Sequence, residues 1–280
     1  MRRLKQLLIG GGSRLLLYVV VFVAVVPIFW MVTTSFKDPR TALALPPKLL
    51  DFEFTLENYE ALFTGAASAS GFAGPLVNSV IVSLGATALA IALGFPAAYV
   101  LARVQMRHKS ALAMWILSTW MFPPMVAVIP IFLIAGNLGI MDTYPVLIVP
   151  YAAFNLPLVI WMLRSVIKQI PIEIDEAAFV DGASSTYVMR RIILPLAAPG
   201  IAATAMLSVF LSWNEFLFAL TLTRSDVRTA PVAINEFTTM FGTQWGNLTA
   251  GATLVVAPIL VMALLMGRRL VQGLSFGAVK

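Results

Sequence analysis

Of the thirteen carboxylates in this 280-residue chain, twelve fall in polar loops. The exception is Glu215, which sits inside a long apolar run, bracketed by Trp213, Asn214 and Phe216. A flat aromatic face beside an amide and a carboxylate is how sugars are held, with rings on apolar surfaces and hydroxyls on a few polar groups. The same residues also describe an interfacial tryptophan belt with a snorkelled or capped acid, and on chemistry alone that plainer reading is favoured. On a continuous helix successive residues fan out by about 100°. Trp213 and Phe216 then share a face, while Asn214 and Glu215 point elsewhere. The expectation is therefore split: Trp213 or Asn214 meets a sugar, and Glu215 bonds to a neighbouring subunit or a loop. Asn155, in another apolar run, is a further polar candidate for the same path, although a helix–helix hydrogen bond suits it better.

Other chemistries find no residues. Cysteine is absent and His108 is the single histidine, between Arg107 and Lys109. This leaves no thiol nucleophile and no basis for a metal cluster. None of the six lysines follows a glycine, so no phosphate-cradling loop with its lysine exists and the chain does not hydrolyse ATP by that route. One acid in the apolar runs is thin material for an ion relay, which usually shows intramembrane charge pairs or chains.

A second chemical stretch is the polar island within residues 168–195. It carries Glu173, Asp175, Glu176 and Asp181, then Arg190 and Arg191. Pro171 suits a first helical turn, and the acids that follow suit the positive end of a helix dipole. Gly182 can end that helix in a left-handed turn. Ser184 or Ser185 can cap a second helix, and Pro195 kinks the chain as it enters the next apolar run. Ala177 and Ala178 leave little side chain there, so another protein's surface can approach closely.

The elements that must position these residues are apolar. The chain is 60% hydrophobic and 11% charged, against about 25% charged in a soluble domain. Six runs, at about 15–34, 76–101, 111–135, 144–163, 199–222 and 249–267, are each long enough to cross a hydrocarbon core of about 30 Å as a helix. Prolines interrupt several of them: Pro123, Pro124, Pro157 and Pro258 either unwind helices where a substrate passes or merely kink them. The first run is too long for a signal peptide and lacks a small-residue cleavage site, so it reads as a retained span. Fourteen of the nineteen lysines and arginines lie at the termini, in the 103–109 turn and around the central loop. That bias predicts an all-α, six-span membrane protein with both termini and the 168–195 loop in the cytoplasm. No soluble domain or internal repeat is evident, and residues 1–280 read as one transmembrane domain.

The polar island also carries a resemblance. Glu176-Ala177-Ala178, three residues, Gly182, nine residues, Ile192, one residue and Leu194-Pro195 resembles the cytoplasmic "EAA loop" of permease subunits of binding-protein-dependent ABC importers. All seven motif positions match. Trp213-Asn214-Glu215-Phe216 in the following span is similar to sugar-importing permeases of the maltose type. So are Trp30–Lys37 at the first-span exit, Asn78-Ser79 at the second-span entry, and the ending Val271–Lys280. Together they resemble the G-type subunit of that family.

The resemblance implies a type I ABC importer permease fold with a cytoplasmic coupling helix, in a bacterial inner membrane. It implies that Glu176, Ala177, Ala178, Asp181, Gly182, Ile192, Leu194 and Pro195 couple to an ATPase. It implies as partners a second, F-type permease, two cytoplasmic ATPase subunits and an extracytoplasmic sugar-binding protein, with no nucleic acid. No cofactor or metal is expected on this chain, and ATP with its magnesium is expected on the ATPase. The C-terminal tail is expected to touch that ATPase. The alternative is a stand-alone, ion-coupled secondary carrier, purified without an ATPase and driven by a gradient.

Overall fold

Runs of Leu, Val, Ile and Ala must satisfy their own backbone N–H and C=O groups in an apolar medium, and helices do so within the segment. In the computed structural model every residue is described except 1, 43, 47, 49–50, 66–70, 241 and 276–280, and for 2–13, 15 and 265–275 only the backbone course is given. The last residues of the tail, to which an ATPase contact was assigned, therefore lie outside the described residues.

The helices are α1 (Arg2–Ser35), α2 (Pro39–Ala42), α3 (Glu57–Thr64), α4 (Ala73–Arg103), α5 (Lys109–Thr119), α6 (Pro124–Leu138) and α7 (Tyr144–Gln169). There follow α8 (Glu173–Val180), α9 (Ser185–Tyr187), a π turn Val188–Ile193, α10 (Leu194–Leu196), α11 (Ala198–Trp213) and α12 (Leu217–Leu222). The short α13 (Ala230–Ala233), a 3-10 turn, a two-stranded hairpin of β1 (Thr238–Thr239) and β2 (Gly242–Thr243), and α14 (Trp245–Ser275) complete the order. The strands are antiparallel, with Thr238 opposite Thr243.

Two compact units divide the chain: Met1–Ala73 with Ile234–Val256, and Gly74–Ala233 with Ala257–Lys280. In the first, Phe36 stacks on Phe54 with ring centroids 4.7 Å apart. Asn58 Nδ2 donates to the carbonyls of Ser35 and Lys37. The buried Lys37 ammonium lies 4.9 Å from the Trp30 ring centroid and 5.1 Å from that of Phe52, a cation–π enclosure. The second unit holds the core, in which α7 runs through the centre: Leu147, Leu163 and Ile167 are fully buried. On α11, a methyl group at Gly200 would collide with Val166 of α7. Small residues let apolar helices approach when water no longer drives them together.

Among the described residues four helices are long and apolar enough to cross a membrane: Leu16–Ser35, Ala73–Arg103, Tyr144–Gln169 and Trp245–Leu264. Two bent pairs bring the count to six if each is one span: α5 with α6, bent by 76°, and Ser185–Leu196 with α11, bent by 77°. The first bend has a direct cause. Pro123 and Pro124 remove two donors, and Trp120, Met121 and Phe122 close the helix with tight bonds to residues three back. The second lies among Pro195 and Pro199, which also lack donors.

One expectation needs correction. The run at 199–222 is not one helix: it ends at Trp213 and restarts at Leu217. Pro157 and Pro258 do not unwind their helices, for α7 and α14 continue through them. Of the four prolines Pro123, Pro124, Pro157 and Pro258, the first two are the ones at a helix break.

Candidate functional site

The polar island folds as its residue types dictate. Glu173, Asp175 and Glu176 occupy the first turn of α8, where acids offset the helix dipole. Gly182 has φ +82°. The N–H of Ala183 reaches back to the Ala178 carbonyl at 2.9 Å, and that of Gly182 to Phe179 at 3.0 Å, closing the helix end. A Cβ on Gly182 would meet nothing within 4 Å, so the need for glycine is conformational, not steric. Ser184 Oγ accepts from the Tyr187 N–H at 3.3 Å and starts the second helix. The π turn follows, with the Leu194 N–H bonded to Met189 five residues back.

The result is an exposed corner. Glu176, Ala177, Val180 and Asp181, at helical spacing, share its outer face with Gly182, and Val180 is 88% exposed. Leu194 and Pro195 are exposed beyond the turn, while Ile192 is half-buried. Ala178 is turned into the protein, within the core.

Sequence reasoning missed the residues that hold this corner. Arg103, the last residue of α4, places its Nε 2.7 Å from Asp175 Oδ2 on α8. The pair is ionic contact rather than an aligned hydrogen bond. Arg103 Nη2 also donates to the Ile170 carbonyl at 2.9 Å. Burial pushes the Asp175 carboxyl up, Arg103 pulls it back, and the balance stays above the usual carboxylate range. A single sequence gives no signal for this pairing, since seventy-two positions separate the partners.

At the other end of α4 a second network was missed. Asn78 Nδ2 donates to the carbonyls of Asp226 and Arg228, and Asn78 Oδ1 accepts from Tyr144 Oη at 2.8 Å. Ser79 Oγ accepts from the Ala230 N–H at 2.9 Å. Asp142, with φ 58°, accepts from the N–H groups of Ser225, Asp226 and Val227. Burial would raise its carboxyl, but those backbone donors outweigh burial and hold it at about 2.

Because that folded-state value lies below the ordinary 3.8, the stabilisation is present above about pH 4 and lost as pH falls toward 2. Asp142→Asn keeps the left-handed backbone accessible and loses the charge. It is expected to lower thermal stability by about 1 kcal/mol at pH 7 after solvent screening. Melting of detergent-solubilised protein would check this, with the gap to wild type closing below pH 4.

The residues proposed to line a substrate path separate. Asn214 Nδ2 caps α11 by donating to the Phe210 carbonyl at 2.8 Å. Glu215 accepts from the N–H groups of Phe218 at 3.1 Å and Ala219 at 3.4 Å. It therefore caps the restart at α12 within its own chain, rather than reaching a distant loop. The face-sharing argument for Trp213 and Phe216 lapses, because no helix joins them. Trp213 is buried in an apolar groove of about 300 Å³ with Phe210, Pro258 and Met262.

Asn155 Nδ2 donates to Ser212 Oγ at 2.8 Å, tying α7 to α11. Asn155 and Glu215 nonetheless meet across a cavity of about 70 Å³, with Tyr151 and Ser212. That is room for about two waters. A larger cavity, of about 560 Å³, opens at the α5–α6 break and is lined by Ser118, Thr119, Phe122, Pro123, Phe154 and Pro157 among others. Both cavities share Phe154. Among the described residues no cluster of three or more metal-ligating side chains occurs.

Residues 90–275 match the family of binding-protein-dependent transport system inner membrane components. The chain belongs to this family. Among similar permeases, one from Sinorhizobium fredii, named as a probable ABC transporter permease protein, is 39% identical over 94% of this chain and 92% of its own. The trehalose transport system permease protein SugB of Mycobacterium tuberculosis is 39% identical over 93% of this chain and 94% of its own. The trehalose/maltose transport system permease protein MalG of Thermococcus litoralis is 35% identical over 99% and 98%. A solved bacterial ABC transporter that imports the acidic polysaccharide alginate has a chain that aligns with a TM-score of 0.75 at 20% identity, over 93% of this chain and 96% of that one. It shows that the fold is shared. Permeases of this family are integral inner-membrane proteins that work with a substrate-binding protein and an ATPase, and are not themselves enzymes.

Proposed function

We propose that this permease forms half of the pore of an ATP-driven carbohydrate importer. A second, F-type permease supplies the other half. Two ATPase subunits hold ATP with its magnesium, and an extracytoplasmic binding protein delivers the sugar. The observation that carries this reading is the exposed Glu176–Gly182 corner. It offers a carboxylate and bare alanine backbone to a partner, is closed by a left-handed glycine, and is joined to α7 by three residues and to α11 through short helical turns. Docked ATPases would move it as a lever and switch the pore between inward- and outward-facing states.

The basic residues at both termini and around the corner support a cytoplasmic side for these, in a reading with six crossings, two of them bent. The relatives' names point to disaccharides such as trehalose and maltose as the first substrates to try. The cavity at the α5–α6 break suits such a ligand, combining ring faces from Phe122 and Phe154 with hydroxyls from Ser118 and Thr119. Discontinuous helices at membrane depth are where transporters commonly place substrate.

The test is the permease pair with ATPase and binding protein in proteoliposomes. ATP-dependent sugar uptake is expected, with reporters at Asp142 and Lys280 on opposite sides of the membrane. Uptake driven by an ion gradient without ATPase, or both reporters on one side, overturns the reading.

A further inference from the structure

The two networks that the sequence did not announce sit at opposite ends of one helix. At one end of α4, Arg103 grips α8 through Asp175 and the end of α7 through the Ile170 carbonyl. Arg164 Nε donates to the Leu101 carbonyl at 3.3 Å, and Lys109 Nζ to the Ala102 carbonyl at 3.0 Å. The last carbonyls of α4, which have no partner within the helix, are thus held by cations from α7 and α5. At the other end, Asn78 and Ser79 hold the 226–230 segment through three backbone bonds. Asn78 and Arg103 are twenty-five residues apart on one unbroken helix, or about 38 Å.

Stability alone does not account for the ion pair. Its side chains are 9% and 3% exposed. Burying two charges costs about as much as their attraction returns, so a buried pair is weak evidence of stabilisation. What such a pair supplies is direction. A guanidinium that meets a carboxylate and a carbonyl at once fixes where α8 sits along and around α4. The far end is equally specific: an amide whose two N–H donors take two carbonyls of one loop cannot slide without breaking both.

Resting on the proposed coupling role of the corner, we infer that α4 is the rigid link that carries movement of the coupling loop to the 226–230 loop on the opposite side of the membrane. Arg103 is the positioning residue that engages it. The ATPase would pull α8, α8 would pull Arg103, and the displacement would arrive at Asn78 and Ser79 as a shift of the outer loop. In the reverse direction, a binding protein pressing on that loop would be felt at the ATPase contact. Such a route needs both grips and a stiff rod between them. The chain supplies all three from residues far apart in sequence.

The experiment uses the complete complex in proteoliposomes with saturated binding protein. Arg103→Met, Asp175→Asn, the double variant of the two, the exchange Arg103→Asp with Asp175→Arg, and Asn78→Ala are compared with wild type. Four quantities are read: ATPase co-purification, thermal midpoint, basal ATP hydrolysis, and hydrolysis stimulated by the loaded binding protein.

The double variant removes both charges and leaves no unpaired ion, so it should assemble even where a single substitution does not. For Asn78→Ala co-purification and basal hydrolysis should stay within about twofold of wild type, and for the double variant stimulation is read relative to basal hydrolysis per assembled complex. Stimulation should fall about tenfold or more, and the exchanged pair should recover part of it. Stimulation within twofold of wild type in an assembled double variant overturns the link. So does a loss that only tracks a falling thermal midpoint. Failure of the wild-type chain to bind the ATPase would instead sink the coupling role itself.

Discussion

Gly182→Val is expected to leave the permease in the membrane and abolish transport. The glycine has φ +82°, a region that costs an ordinary residue about 1–2 kcal/mol and a β-branched one more. The space around it is open, so valine forces no clash and no collapse. The chain instead relieves the strain by turning the corner, and the outer face of Glu176, Ala177 and Val180 no longer points as it did. A lever displaced by a few ångströms transmits nothing useful. Asparagine tolerates the left-handed conformation best among the other residues, so Gly182→Asn should retain a substantial part of the uptake. Glu176→Lys leaves the fold untouched, because the side chain is exposed, and inverts the charge on the proposed docking face. Membrane content, ATPase co-purification and uptake, measured together, separate these effects. Wild-type uptake in both Gly182→Val and Glu176→Lys would remove the docking role.

Gly200→Ala should damage the protein by a different route, at the level of packing. The added methyl meets Val166 across the α7–α11 contact, on the same two helices that Asn155 and Ser212 tie together further along. Overpacking of a close contact costs about 1–3 kcal/mol. For a chain of this size that is several degrees in the thermal midpoint. Val166→Ala removes the obstructing atoms, so the double variant should regain most of the loss. A double-mutant cycle in detergent would read this as a coupling energy between neighbours. Equal midpoints for Gly200→Ala and wild type would show that the helices can part without cost.

What could be read in the sequence was local. Gly182 announces a left-handed corner, Ser184 a cap and Pro123-Pro124 a broken helix, because each acts on its own backbone within a few residues. Glu215 shows the limit. Its isolation among apolar residues was plain, yet its role depends on the free N–H groups of Phe218 and Ala219, which exist only because the helix stops at Trp213. Periodicity assumed continuity there and placed Trp213 and Phe216 on one face.

The long-range grips were illegible for a further reason. Asn78 meets a loop about 150 positions away, and Arg103 meets Asp175 across three whole helices. No propensity encodes such distances, and polar residues at helix ends look alike until their partners are in place. The cavity at the α5–α6 break was half legible: the prolines marked the interruption, but the aromatic walls from α7 did not declare themselves.

The π turn at Val188–Ile193 gives the motif's spacing a meaning of its own. A π turn is an α-helix holding one surplus residue, and each residue of a helix advances the azimuth by about 100°. The nine positions between Gly182 and Ile192 therefore act as a phase setting between the corner and α11. Within the turn the surplus residue is wound in at a smaller angle per residue, so losing it there would restore regular helix and leave the flanks nearly in phase. A residue deleted outside the turn has no such buffer and would rotate the corner by roughly a quarter turn about the local helix axis. A transporter so altered would be intact, folded and out of step, its clutch engaged at the wrong tooth.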